Sequence, residues 1–424
     1  MKKVLFSLGV ASVMLAAFSS CSSDDEKGGE VRYMLPETRT IDLTAGQKEL
    51  VEKNNDFSFR LVRKIHEACK SEDDKGKSLF VSPLSVTYML GMLNGGADEE
   101  GRQTISEALG MGGVTVRQIN EFCSSLLTQA PNVDSQVKLE TANAVFTNRQ
   151  YELYDSYSAD LRKYYMAEAK ALDFSSSSSL DIINGWSKER TGGMIPSVME
   201  NLNADAVMYL LSSVYFEATW TKQFDKELTK TEVFTAEDGT QGSVQMMHNQ
   251  SLILASRNST FSSVRLPYGS GKWSMYVMLP EEGKTVDDVI ACLDADFWKS
   301  KNSQYRQATV ELALPKFSVT DQTDLKDPLS GMGLGGLFGG NLILSNMCKG
   351  SQLTVSEMLQ KGRIDVDEEG SKMTAVTVAG LDISSGGGML DVGKFAATRP
   401  FVYVIAEDTS DAVFFVGTYM GPVK

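Results

Sequence analysis

The chain has 424 residues, of which 42% are apolar, enough to bury a sizeable core. Its 55 acidic residues against 41 basic ones give a formal charge of −14, which argues against a nucleic-acid partner and against electrostatic docking on acidic lipid. Only two histidines are present, His66 and His248, so imidazole-based metal or general-base chemistry has little to work with.

In chain order, Lys2 and Lys3 precede an apolar stretch at 4–17 and then Phe18-Ser19-Ser20-Cys21, the order of an export signal. A helix crossing a bilayer needs about twenty apolar residues, so this stretch is a targeting segment and not a span. The small residues before Cys21 resemble the lipobox of bacterial lipoproteins, which implies removal of 1–20 and acylation of Cys21; a plain secretory signal is the alternative. Ser22-Ser23-Asp24-Asp25-Glu26 resembles the acidic tag of some surface-exposed lipoproteins. The expectation is an outer-membrane lipoprotein facing the surface, with periplasmic or secreted placement as alternatives, and membrane contact through Cys21 alone.

Residues 21–46 are polar and aperiodic and read as a tether. From Glu49 onward Phe57, Leu61 and Ile65 recur at helical spacing, placing the start of the folded domain at about 47. Phe80-Val81-Ser82-Pro83 gives a short strand ended by proline, followed by a buried helix over 86–93 that Gly95-Gly96 closes. The serines at 175–179 and the glycine-rich run at 331–340 read as loops. Strand patterns fall at 264–267, 273–279, 309–317, 401–406 and 413–419. Early helices and late strands predict an α+β fold with antiparallel sheets.

Enzyme signatures are missing from this order. His66-Glu67 opens like a zinc-protease helix, but the fifth residue is Lys70, not a second imidazole. There is no G-x-S-x-G elbow, and the glycine run lacks the Lys-Ser/Thr of a phosphate loop. Cys69, Cys123, Cys292 and Cys348 are scattered without a C-x-x-C and read as buried apolar thiols. No catalytic centre, metal or cofactor is expected.

A series of strings carries a family likeness: Phe80-Val81-Ser82-Pro83-Leu84-Ser85, Gly95-Gly96-Ala97, Thr141-Ala142-Asn143-Ala144-Val145-Phe146, Asp173-Phe174, Ile183-Asn184-Gly185-Trp186 and Thr191-Gly192-Gly193-Met194-Ile195. Tyr215-Phe216-Glu217-Ala218-Thr219-Trp220, Leu266-Pro267-Tyr268, Leu314-Pro315-Lys316-Phe317 and Arg399-Pro400-Phe401 continue it in order. Over about 50–421 the chain resembles the serpins. The resemblance implies one domain over 47–424 with three β-sheets, eight or nine helices and a reactive-centre loop at about 368–394. It implies suicide inhibition: a target serine or cysteine protease cuts the loop, which then inserts into the main sheet and traps the protease covalently. A non-inhibitory binding protein on the same fold is the alternative. A monomer is expected, with loop–sheet polymers on heating.

Glu368-Glu369-Gly370-Ser371-Lys372-Met373-Thr374-Ala375-Val376 resembles the hinge of inhibitory serpins, in which Glu368, Glu369, Gly370, Ser371, Met373 and Ala375 would swing the loop. Met373 and Val376 depart from the family's alanines and argue for slower insertion. A strand buried on one face must keep one parity uncharged. Ser371, Met373, Ala375, Thr377, Ala379, Leu381 and Ile383 satisfy this, while Lys372 and Asp382 hold the other parity. No proline lies between Ile364 and Arg399, so every residue keeps its ladder donor.

Family spacing from Gly370 places the cut at Ser384-Ser385; counting back from Arg399 places it near Gly386 or Gly387, with Ile383 and Met389 as further alternatives. Small or apolar residues there suit elastase-, subtilisin- or chymotrypsin-like targets, not trypsin-like ones. The resemblance also implies a sheet gate of Trp220, Ser82, Ser85, Ser212 and Gln360, the last two standing where many serpins carry Asn and His. Gln360 does not titrate, so this gate is expected to be insensitive to pH near neutrality.

Overall fold

The computed structural model describes residues 38–69, 76–348, 353–371 and 393–422. Thr44 caps the first helix, Ala45–Ala68, through a reciprocal pair with Gln47, and the helix buries Phe57, Leu61 and Ile65 as their spacing requires. The folded body starts earlier than the expected 47. Ile41 is buried and Arg39 N–H donates to the Val133 carbonyl (2.8 Å), because Ile41 and Leu43 continue the apolar face of the helix onto the core.

Strand Leu79–Val81 runs straight into helix Pro83–Gly96, with Ser82 as its cap and Pro83 at the first position, where a missing N–H is harmless. That helix is buried nearly all round and packs against strands of both sheets. Eight described helices have seven residues or more, in line with the expected number.

Nine strands form one sheet, ordered Leu79–Val81, Ala412–Tyr419, Phe401–Glu407, Trp273–Pro280, Phe261–Tyr268, Gln241–Arg257, Arg306–Pro315, Lys394–Ala396, with Lys230–Thr235 also on Gln241–Arg257. The second sheet runs Phe317–Asp324, Glu357–Val366, Met208–Thr219, Val137–Asn148, Glu168–Leu172, with Gly370–Ser371 on Met208–Thr219. The α+β class holds. Among the described residues hydrogen bonding joins the strands into two sheets where three were expected, because the 17-residue Gln241–Arg257 strand pairs first with Lys230–Thr235 and later with Phe261–Tyr268.

Four local readings are corrected. The single strand expected at 309–317 is two strands in different sheets, and the chain crosses over at Lys316, whose N–H bonds the Gln245 carbonyl. The glycine-rich run is a wide turn, Ser330–Leu334, and a short helix, Gly336–Gly339, because Leu334 and Leu337 are drawn fully into the core. The serine run contributes the first turn of helix Ser177–Arg190. Of the cysteines, Cys123 and Cys348 are buried as expected, but Cys292 is exposed at the end of a seven-residue helix.

Helix Ala295–Gln304 is pinned by an ion pair of unequal burial. Lys301 is 1% exposed, lies over the Trp298 ring and binds the Asp411 carboxylate at 2.5 Å, while the Asp411 side chain is half exposed. Removing one end should therefore differ from removing the other. Lys301→Met leaves a hydrated carboxylate and is expected to cost under about 1 kcal/mol, whereas Asp411→Ala strands a buried ammonium and is expected to cost about 3 kcal/mol. Denaturant unfolding of both variants checks the asymmetry; equal losses would contradict it.

Candidate functional site: a seam in the six-stranded sheet

Strands Glu357–Val366 and Met208–Thr219 are parallel partners only from Glu357↔Tyr209 to Arg363↔Tyr215. Beyond that point they part. Residues 216–218 stay bonded to Val137–Asn148 and residues 364–366 to Phe317–Asp324, each on its outer side. Into the mouth between them comes Gly370–Ser371, antiparallel to Met208–Thr219, with Gly370 opposite Thr219 and Ser371 opposite Ala218.

The chain reaches the mouth by a tight turn. Asp367 and Gly370 exchange backbone bonds, and the Asp367 carboxylate accepts from the N–H groups of Glu369 and Gly370. Gly370 has φ +141°, and a Cβ there would lie 2.1 Å from the Ala218 carbonyl oxygen, so glycine is demanded by conformation and by space. Gly370→Ala is expected to expel this residue pair from the mouth, seen as faster amide exchange at Ala218, Thr219 and Trp220; unchanged protection would refute the steric argument.

The mouth is fastened on several sides. Trp220 N–H donates to the Glu369 carbonyl (2.8 Å), and its indole Nε1 donates to the Asp367 carbonyl (2.9 Å). The indole stacks on Tyr268 at 4.3 Å, and the Tyr268 hydroxyl faces the Ser371 hydroxyl at 3.4 Å. Glu368 is 4% exposed and is held by Lys316 (2.7 Å) and the Thr229 hydroxyl (2.8 Å). Burial alone would lift its carboxyl, but these partners outweigh it and keep the group below the usual carboxylate range. Glu369 pairs with Lys226.

Midway along the seam a polar row crosses the sheet: Thr323, Gln360, Ser212 and Asn143 stand at successive register positions, all buried. The two banks differ. Gln360 exchanges two bonds with the Ser82 backbone (2.7 and 2.8 Å), and the Ser82 and Ser85 hydroxyls meet at 3.0 Å. Across the seam, Ser212 Oγ and Asn143 Oδ1 are buried without a bonding partner.

The structure thus brings Trp220, Glu368, Glu369, Gly370 and Ser371 together at the mouth, and Ser82, Ser85, Ser212 and Gln360 at the centre. Cys21, Met373, Ala375, Ile383, Ser384, Ser385, Gly386, Gly387 and Met389 lie outside the described residues. The sequence reading missed Lys316, Thr229, Lys226, Tyr268 and Asn143 as participants. Lys316, Tyr268 and Asn143 stood in strings that carried the likeness, but nothing in their spacing names a partner. Among the described residues no group of three or more His, Cys, Asp or Glu is placed to hold a metal, and no helix is long and apolar enough to cross a membrane.

Comparison with known proteins agrees with this architecture. The family model for serpin (serine protease inhibitor) matches residues 52–422. Iripin-3 of Ixodes ricinus is 27% identical over 96% of this chain and 98% of its own length. Human serpin B4 is 28% identical over 88% and 99%, and human corticosteroid-binding globulin 28% over 93% and 95%. Among solved structures, native tengpin, a thermophilic serpin, superposes with TM-score 0.78 at 25% identity over 92% of this chain and all of its own. Human thyroxine-binding globulin shares the fold at TM-score 0.80 and 23% identity over 90% of this chain and all of its own. With the family model spanning nearly the whole described body and the seam built as above, the chain belongs to the serpin family.

Proposed function

We propose that the chain is a protease inhibitor that is cut in the loop after Ser371 and then draws that loop into the seam, with the protease held covalently. The observation that carries the reading is Gly370–Ser371, already paired with Thr219 and Ala218 inside the mouth. Continued in the same register, an entering strand would set Ser371, Met373, Ala375, Thr377, Ala379 and Leu381 beside Ala218, Phe216, Val214, Ser212, Leu210 and Met208. All six of the latter are buried on the core face. The uncharged parity of the loop therefore meets the buried side of the sheet.

The same register puts Thr377 between Ser212 and Gln360, where Ser212 Oγ lacks a partner, and Lys372 between Glu217 and Asp365. Cleavage is the natural trigger, because the far end of the loop is stitched down: Lys394–Ala396 pairs with Glu311, Leu312 and Ala313. Acylation of Cys21 would hold the chain on the outer membrane, facing the surface.

A non-inhibitory binding role is the second reading, favoured by Met373 and Val376 and by a relative named for binding corticosteroid. Incubating residues 38–424, which keep Ile41 and the Thr44 cap, with elastase, subtilisin and chymotrypsin separates the two. A complex surviving boiling in detergent is expected, with the released fragment marking the cut; clean cleavage by all three without a complex would move the chain to the binding role.

A further inference from the structure

Residues 38–42 fall in the expected tether, yet they are strapped to the body close to the mouth. Thr38 and Asp134 form an antiparallel bridge, and the Arg39 N–H donates to the Val133 carbonyl (2.8 Å). Asp42 and Gln129, 87 residues apart, exchange two bonds: the Asp42 N–H donates to Gln129 Oε1 (2.8 Å) and Gln129 Nε2 to the Asp42 carbonyl (3.3 Å). Between these fastenings Ile41 is buried in the core. The backbone that presents Asp134 is thus held from the side by this strap.

Asp134 is 1% exposed, and its carboxylate accepts from the Gln136 N–H (2.9 Å), the Ser270 N–H (2.7 Å) and the Ser270 hydroxyl (2.5 Å). All three donors are neutral, so a carboxylate withdrawn from water depends on each of them staying in position. The turn it grips is pressed tightly against it. Gly269 has φ +50°, and a Cβ there would lie 2.6 Å from Asp134 Oδ2.

That turn leads directly to the mouth. The Gly269 N–H donates to the carbonyl of Thr219, the partner of Gly370 (2.7 Å), and the Thr221 hydroxyl donates to the Gly269 carbonyl (2.8 Å). Tyr268, the residue before, carries the ring that stacks on Trp220 and the hydroxyl that faces Ser371. A longer bond from the Thr219 N–H to the Gln136 carbonyl (3.4 Å) runs beside this route.

We propose that residues 38–42 are a control strap on the mouth, with Asp134 as the positioning residue through which they act. Lifting the strap frees Asp134, then the 269–270 turn, then Thr219 and Trp220, and so loosens the pairing of Gly370 and Ser371. A cut within 38–42, or a partner that displaces these residues, would open the mouth without touching it. This control belongs to the intact chain, whether or not it traps a protease.

The test is hydrogen exchange, read by mass spectrometry on the purified full chain, for the wild type, Arg39→Pro, Asp134→Asn and the double variant. Arg39 is exposed, and proline there takes away the N–H that bonds Val133. Arg39→Pro is expected to speed exchange in 217–221 and 266–271 about tenfold, as one lost hydrogen bond allows, and to leave 306–315 at wild-type rates. Asp134→Asn, whose amide would set a donor against the Ser270 N–H, is expected to do the same. The double variant is expected to exceed Asp134→Asn by less than about twofold, since the main route is then already cut. Wild-type rates at 217–221 in Arg39→Pro would overturn the proposal, and decide it alone if Asp134→Asn does not fold. Equal acceleration of 306–315 would overturn it as well, marking a general loss of stability, and so would a full tenfold added by Arg39→Pro on top of Asp134→Asn.

Discussion

Thr377→Arg is expected to abolish the detergent-stable complex and leave a chain that proteases simply cut. In the register set by Gly370 and Ser371, residue 377 would enter between Ser212 and Gln360, both under 2% exposed and facing the core. No acidic group stands in that row of Thr323, Gln360, Ser212 and Asn143. A guanidinium stranded there costs several kcal/mol, and about 4 kcal/mol slows a step on the order of a thousandfold. Hydrolysis of the acyl-enzyme would then win. Thr377→Ser, which keeps the hydroxyl, is expected to retain the complex. Wild-type yield of complex from Thr377→Arg would sink the register and the insertion model with it.

Lys372→Glu is expected to slow complex formation without abolishing it. The position falls on the other face, in a row that reads Lys138, Glu217, then the entering residue, then Asp365 and Ser318. Lysine there completes an alternation of charge; glutamate would stand between two carboxylates. Glu217 and Asp365 are only partly buried, and Asp365 is already bound by Arg363, so each contact is discounted for solvent. The pair of reversals is expected to slow insertion roughly three- to tenfold. The deficit should shrink as salt is raised toward 1 M, where the screening length falls to about 3 Å. A rate that is unchanged, or a deficit indifferent to salt, would remove Lys372 from the mechanism.

How much of this was legible beforehand depended on whether a residue's role was local. The helix over Phe57, Leu61 and Ile65 and the strands at Trp273–Pro280 and Ala412–Tyr419 follow from periodicity or apolar runs. The strand that forms one bank of the seam, Met208–Thr219, was not predicted as a strand, although the family strings ran through it. Helix Pro83–Gly96 packs on one face and the Trp186 cluster lies on the other, so ten of its twelve residues are buried and no alternation remains to be seen. Gly370 could be picked out because its neighbours in sequence resemble a hinge. Its fastenings could not: Glu368 finds Lys316 52 residues away and Thr229 139 residues away, and Trp220 finds Asp367 across 147.

Lys394–Ala396 is a strand of three residues, yet on the proposed reading it is the clock of the intact molecule. While it stays zipped to Arg306–Pro315, both Ser371 and Lys394 are held in strands, and on that reading the residues between them cannot enter the seam. A ladder that short frays often. Each time Phe395, 2% exposed in its seat, lets go, an uncut chain has a brief chance to spend its one conformational change on nothing. The shelf life of the active form should therefore track how well a single phenylalanine is packed. Phe395→Ala should shorten it, measured as the decay of complex-forming capacity during storage of uncut protein; an unaltered decay would mean that the clock lies elsewhere.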